Sequence, residues 1–351
     1  MSEFTFEIQG LVAGFVLASE QYREAFNWLR LDFAAFAPAS REPSIRITLA
    51  DALPSDRLKK PARVWRKPHL SVHGTGKHRL CFYPNAVRAE AHESKGRREF
   101  WVAGTECERV REVAYTAMLS ALGEALDAAG FHRVHAAALD IRGTRVLLIA
   151  PSGGGKSSLS ALLSREPGVR LFSDESPLLG AGGIYPFPLR LALAPAVAQA
   201  LGFAPGDRFQ RARYSPKWLY PFPAASIGRP GHADLVFAVG KAGENPRVRR
   251  TNRLTLACRL LPSLVAGLGL AQMAEWMLRV NALPRLIKIA FGRAAAVIRL
   301  LRHTKEVYIF SPGPDAATNV RFLNDLVREF EKDATRAPNS RRQNEPATRH
   351  P

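Results

Sequence analysis

Phe4, Phe6 and Ile8 alternate with polar residues, and that period of two predicts a strand over residues 4–8. The stretch QYREAFNWLRLDFAAF carries its apolar residues at helical spacing instead. IRITL (45–49), HLSVHG (69–74), HRLCFY (78–83) and REFWVAG (98–104) read as further strands, set apart by turns rich in proline, glycine and charge. Residues 1–105 are therefore expected to form a smaller α+β region.

ECERVREVAYTAMLSALGEALDAAG (106–130) predicts an amphipathic helix that Gly130 ends as a C-cap. Beyond it the pattern changes. HRVHAAALDIRGTRVLLIA reads as two short strands around a turn at Arg142 and Gly143, followed by a helix over 156–165. VRLFSDE, IYPFPLRLAL, ADLVFAVG and EVYIFSPG read as later strands, and TNVRFLNDLVREFEK as a closing helix. The expected organisation is an α/β core over 106–331 with a mixed, strand-rich sheet. Residues 332–351, polar and rich in Arg, Asn and Pro, read as a disordered tail.

Composition narrows the classes. At 46% hydrophobic residues the chain can bury a sizeable core, and its three cysteines are scattered without a CxxC. With no histidine cluster beside them, that pattern argues against a disulfide scaffold or a zinc site and fits a reducing compartment. The opening MSEFTFEIQG has no basic-then-apolar leader pattern. The longest uncharged run, 191–206, contains Pro195 and Pro205 and is shorter than the roughly 18–20 residues of a spanning helix. A cytoplasmic protein is expected.

The net charge of +19 is concentrated at 59–79 and 250–302. A basic face and an anionic cosubstrate account for it, so a nucleic-acid role is not favoured. The amphipathic, basic stretch 263–302 suits an anionic membrane surface, but cover for the core or an interface is the favoured reading. His69, His73 and His78 lie in basic surroundings without carboxylates and read as surface histidines.

The chemistry is concentrated in VLLIAPSGGGKSSLSALLSR, residues 146–165. An apolar strand runs into Ser152, Gly153, Gly154 and Gly155, small residues that let backbone N–H groups approach phosphate oxygens closely. The helix that follows adds the positive end of its dipole, with Ser158 in its first turn. Lys156 is placed to reach β- and γ-phosphates and the Ser157 hydroxyl to bind Mg²⁺. Ala150 stands where this pattern usually has its first glycine. Asp174 and Glu175 end an apolar strand only 18 and 19 residues after Lys156. One helix and one return strand would bring them beside the loop, where one carboxylate can hold Mg²⁺ and the other take a proton from an acceptor hydroxyl.

The block HAAALDIRGTRVLLIAPSGGGKSSLSALLSREPGVRLFSDESPLL resembles the catalytic core of HPr kinase/phosphorylase and its HPr-kinase-related relatives. That family has a histidine, a short hairpin, a phosphate loop, a helix and a strand ending in an acidic pair. The Pro-Phe-Pro of IYPFPLRLAL is similar as well, and the resemblance covers about residues 132–192. It implies a P-loop core of the phosphoenolpyruvate carboxykinase type. It further implies that Lys156 and Ser157 serve ATP and Mg²⁺, that His135 matches the active-site histidine, and that Asp174 and Glu175 match the two acids. Which acid is the base stays open, because the helix-to-strand connection here is about one residue longer. No phosphorolysis loop is found. The implied activity is an ATP- and Mg²⁺-dependent kinase acting on serine of a protein or precursor peptide. A nucleotide-binding module without turnover and a small-molecule kinase are the alternatives, and a homo-oligomer is compatible with the family.

Overall fold

The computed structural model describes residues 2–57, 63–67, 70–74, 77–94, 96–150, 153–211, 215–223, 227–265, 276 and 283–342. It is an α/β structure with several mixed sheets. The N-terminal region is built on a nine-stranded sheet. In spatial order its strands are Ala37–Pro38, Ser2–Ile8, Leu11–Leu17, Ile45–Leu49, Arg97–Ala103, Arg88–Ser94, His78–Phe82, Leu70–His73 and Arg63–Lys67. Helices Arg23–Asp32 and Cys107–Ala128 pack on one face, over a core that includes Phe6, Phe15, Phe33, Ile47 and Leu122.

Two of these strands lack a clean alternation of large apolar with polar residues. LVAGFVL (Leu11–Leu17) is a continuous apolar run, paired on both edges and largely buried. It folds back on Ser2–Ile8 through Gln9 and Gly10, both with positive φ (47° and 79°), as a two-residue hairpin requires. RAEAHES (Arg88–Ser94) carries charges on alternate residues, yet pairs on both sides within the sheet.

The C-terminal region is organised by a six-stranded mixed sheet. Its order is Val169–Ser173, Ala137–Ile141, Thr144–Ile149, Leu235–Val239, Glu306–Ser311 and Arg247–Arg250. Successive residues of the central strands alternate between two cores. Leu148, Leu171, Leu235 and Phe237 face helices Lys156–Leu163 and Ala316–Arg342. Leu147, Ile149, Phe172 and Val236 face Val297 and Leu300 of helix Leu283–His303.

IYPFPLRLAL is two strands, Gly183–Tyr185 and Leu191–Leu193, in different sheets, because Pro186 and Pro188 cannot donate to a ladder. The closing helix runs to Arg342, through residues expected to be irregular; 343–351 lie outside the described residues. So does most of 266–282 in the basic stretch. Among the described residues no helix is long and apolar enough to cross a membrane.

Buried ion pairs join the two regions. Asp32, at the end of the first helix, accepts from Arg190 Nε at 2.7 Å and from Arg111 Nη2 at 3.4 Å. Arg190 also donates to Asp207 at 2.6 Å. Asp127 holds His132 (2.8 Å) and Arg293 (2.6 Å), and Glu124 holds Arg98 (2.6 Å) and Arg285 (2.7 Å). Removing one member leaves uncompensated charge in a low-dielectric interior. Asp32→Ala is therefore expected to destabilise the protein by about 3–5 kcal/mol in urea denaturation. Glu20→Ala, which breaks only an exposed pair with Arg23, is expected to leave the midpoint unchanged. Equal effects of the two substitutions would contradict this account.

Candidate functional site

Three chain segments meet at one edge of the six-stranded sheet. Thr144–Ile149 and Val169–Ser173 both run antiparallel to Ala137–Ile141, which lies between them. They therefore end on the edge where that strand begins. The register places Ala137 opposite Leu148 and Ala138 opposite Ser173. His135 precedes the middle strand, Ala150 follows one neighbour and Asp174 follows the other, so all three emerge together.

Main-chain bonds tie these segments to each other. Val134 N–H donates to the Pro177 carbonyl at 3.1 Å and Ala136 N–H to the Glu175 carbonyl at 3.3 Å. The Ser173 hydroxyl accepts from Ser176 N–H (3.0 Å) and from Glu175 N–H (3.4 Å), closing the turn that presents the acids.

On the other side, Gly153 (φ 79°) and Gly155 (φ 81°) both adopt the left-handed conformation, with Gly154 between them. Nothing lies within 4 Å of where a side chain would begin at Gly153 or Gly155, so conformation and not crowding calls for glycine there. Ser152 lies outside the described residues. Gly155 is the N-cap of helix Lys156–Leu163 and offers no side chain to its first amides, and the first turn carries no acid. The N-terminal end of the helix is left with its positive pole open to an anion. Ala150 poses no obstacle: its methyl is buried in the core with Leu148 and Leu159.

Lys156 opens that helix with its side chain turned inward. Its Nζ donates to the Ala150 carbonyl at 2.8 Å and lies 3.0 Å from His135 Nε2. Burial pushes the ammonium down to about 8, and Lys217 adds to the shift while Glu175 and Asp174 oppose it. Burial, and then the Lys156 charge, also hold His135 below the usual histidine range. A neutral His135 accepting at Nε2 carries its proton on Nδ1.

Asp174 is only 3% exposed. Burial, followed by the Glu175 charge, pushes it up to about 7, against a hydrogen bond from Ser157 and the charge of Lys217. Glu175 is half-buried.

These groups share a cleft of about 230 Å³. His135, Gly153, Gly154, Gly155, Lys156, Ser157, Ser158, Asp174 and Glu175 line one side. Ala192, Leu193, Ala194, Val197 and Lys217 complete the lining. All the described residues assigned to the phosphate site from the sequence thus line one cleft. Lys217 was not among them, since it sits in YSPKWLY, which has no motif around it. Behind Glu175 the interior also holds Arg133, whose Nε and Nη2 are buried without partners. Burial draws its guanidinium down to about 10.

The donor set fits a magnesium nucleotide. Ser157 Oγ and the Asp174 carboxylate are hard oxygen ligands already in contact, and the open glycine turn and free helix pole suit a polyanion. No family model matches the chain, and no curated protein matches it.

The raised Asp174 has a consequence for stability. Folded protein keeps its proton up to about pH 7, whereas the unfolded chain releases it near pH 4. Its contribution is present below about pH 4 and is lost as the pH rises towards 7. Without magnesium, Asp174→Asn is expected to exceed the wild type in stability at pH 8 by about 1–3 kcal/mol. The gain should shrink as the pH falls from about 7 and be gone near pH 4. Parallel stability–pH curves for the two proteins would contradict the burial assigned to this carboxyl.

Proposed function

We propose that the chain is an ATP- and Mg²⁺-dependent phosphotransferase of the HPr-kinase-like kind, acting on a hydroxyl group, with serine of a protein or peptide as the acceptor. One observation carries the reading: a buried lysine at the head of a glycine-capped helix shares its cleft with a buried Asp–Ser contact and a second, more accessible acid. Strand, glycine loop and helix beside an antiparallel neighbour are what a P-loop core of the phosphoenolpyruvate carboxykinase type would need.

Each residue then has a task. The amides at Gly153, Gly154, Gly155 and the first helical turn bind phosphate oxygens. Lys156, ionised and short of water, is drawn to the terminal phosphates, where its charge is worth more than in solvent. Ser157 and Asp174 would hold Mg²⁺, which would supply charge neutralisation for the transferring phosphoryl group. Glu175, at the more open side, accepts the proton of the acceptor hydroxyl. His135 keeps Lys156 in place. Leu193, Ala194 and Val197 offer an apolar wall for the nucleoside.

The Ala150 methyl packs into the core beneath the loop, so the departure from the usual pattern gives no ground for a cradle that cannot close. Radiolabelled ATP, Mg²⁺ and a library of serine- and threonine-containing peptides form the test. The label is expected on a peptide hydroxyl. Lys156→Ala should lower transfer by about a thousandfold or more. Glu175→Gln should lower kcat by about a hundredfold or more while nucleotide affinity is kept. An undiminished rate in Lys156→Ala would sink the mechanism, and nucleotide binding without transfer to any hydroxyl would favour a regulatory module.

A further inference from the structure

The nine-stranded sheet carries a second group of ligating side chains, independent of the cleft. His78 and His92 sit directly opposite each other on adjacent antiparallel strands, and Glu90 shares their face two residues along. The expectation that His78 has no carboxylate near it is thereby overturned. The sequence hides this neighbour because the turn at residues 83–87 separates Glu90 from His78 along the chain. His73 packs edge-on against Phe82, and His69 lies outside the described residues.

Both imidazoles turn the same nitrogen towards the same oxygen. His78 Nε2 lies 2.8 Å and His92 Nε2 2.6 Å from Glu90 Oε1. The ligand atoms of the three residues all lie within 4.8 Å of one another. The rings meet edge to face at 4.4 Å, and His92 is braced by Trp101 at 5.1 Å.

Glu90 is the anchor. It is fully buried, and its second oxygen, Oε2, accepts from the Ser55 backbone N–H at 2.9 Å. Hydrogen bonds from His92, Ser55 and His78 hold its carboxyl below the usual range against the opposing effect of burial, the largest single influence. One oxygen is thus tied to the main chain while the other is presented to two nitrogens, as ligating carboxylates are held in metal sites. Leu53, Leu80 and Ala103, with Phe82 and Trp101, form an apolar cluster on this part of the sheet. The two histidine side chains remain 38% and 40% exposed, so the group is open on its outer side.

We propose that His78, His92 and Glu90 form a binding site for a divalent transition-metal ion of the zinc class, with a fourth position open to solvent. Two neutral imidazoles and one carboxylate are a ligand set that such ions accept in open, tetrahedral sites. Bonds of about 2.0–2.2 Å to such an ion separate neighbouring ligand atoms by roughly 3.3 Å, so each N–O pair has to open by about half an ångström. On binding, each imidazole presents its Nε2 lone pair and carries its proton on Nδ1. The site is chemically distinct from Ser157 and Asp174, whose oxygens suit magnesium.

The test is titration of the chelator-stripped, full-length chain with Co²⁺ in excess Mg²⁺. One Co²⁺ per chain is expected, with the visible absorption of a four-coordinate centre and competition by Zn²⁺. His78→Ala and His92→Ala should each weaken binding by more than about a hundredfold, with circular dichroism showing the fold intact. His303→Ala, which removes a ring stacked on His232 at 4.1 Å, should change nothing. Absence of bound Co²⁺, or equal binding by the wild type and the two alanine variants, would overturn the proposal and leave the trio as a hydrogen-bonded anchor for the turn at Ser55.

Discussion

The buried ammonium of Lys156, fixed between the Ala150 carbonyl and His135, is the contact on which the cleft depends. Placing it there requires the antiparallel strand Ala137–Ile141 to lie between two strands that end on the edge where it begins. The same register delivers Asp174 and Glu175 beside it. Burial in this poorly solvated space shifts both groups: Lys156 falls to about 8, and Asp174, with the Glu175 charge beside it, rises to about 7. Neither group is at ease alone. A bound polyanion with its divalent ion would answer both, by setting negative charge beside the ammonium and a cation beside the carboxyl. This stored electrostatic cost is the physical core of the phosphotransferase proposal.

The N-terminal region takes part in this arrangement. Arg190 is clamped by Asp32 from the first helix, and the chain runs straight from Arg190 through strand Leu191–Leu193, of which Ala192 and Leu193 line the cleft with Ala194. Helix Cys107–Ala128 packs on the nine-stranded sheet with one part of its surface and engages the other region through Asp127 and Glu124. The cleft wall is thereby referenced to a second hydrophobic core, and disturbance at Asp32 should be felt at the site.

Much of the cleft was legible from local chemistry. Gly153, Gly155 and Lys156 advertise themselves because only glycine takes their backbone shape easily and only a helix start gives the lysine its place. Asp174 and Glu175 were legible because they end an apolar strand that follows the loop closely in sequence, whereas His135 stood out only through the resemblance. Lys217 was not, since a different small sheet brings it across from a segment without motif. Strand Leu11–Leu17 escaped notice because pairing on both edges replaced its alternation with a plain apolar run. Glu90 and His92 carry no motif in the sequence, and only the hairpin sets them against His78. Ala150 looked like a defect in sequence, yet its methyl belongs to the core and its carbonyl to Lys156.

The central claim is that this cleft is a magnesium–nucleotide site, and calorimetric titration with ATP, with and without Mg²⁺, tests it most directly. Saturable, magnesium-dependent binding at one site per chain is expected, with a Kd below about 1 mM, equivalent to about 4 kcal/mol. Binding should vanish in Lys156→Ala and lose its magnesium dependence in Asp174→Asn. No saturable binding at millimolar ATP, or binding indifferent to both substitutions, would contradict the account.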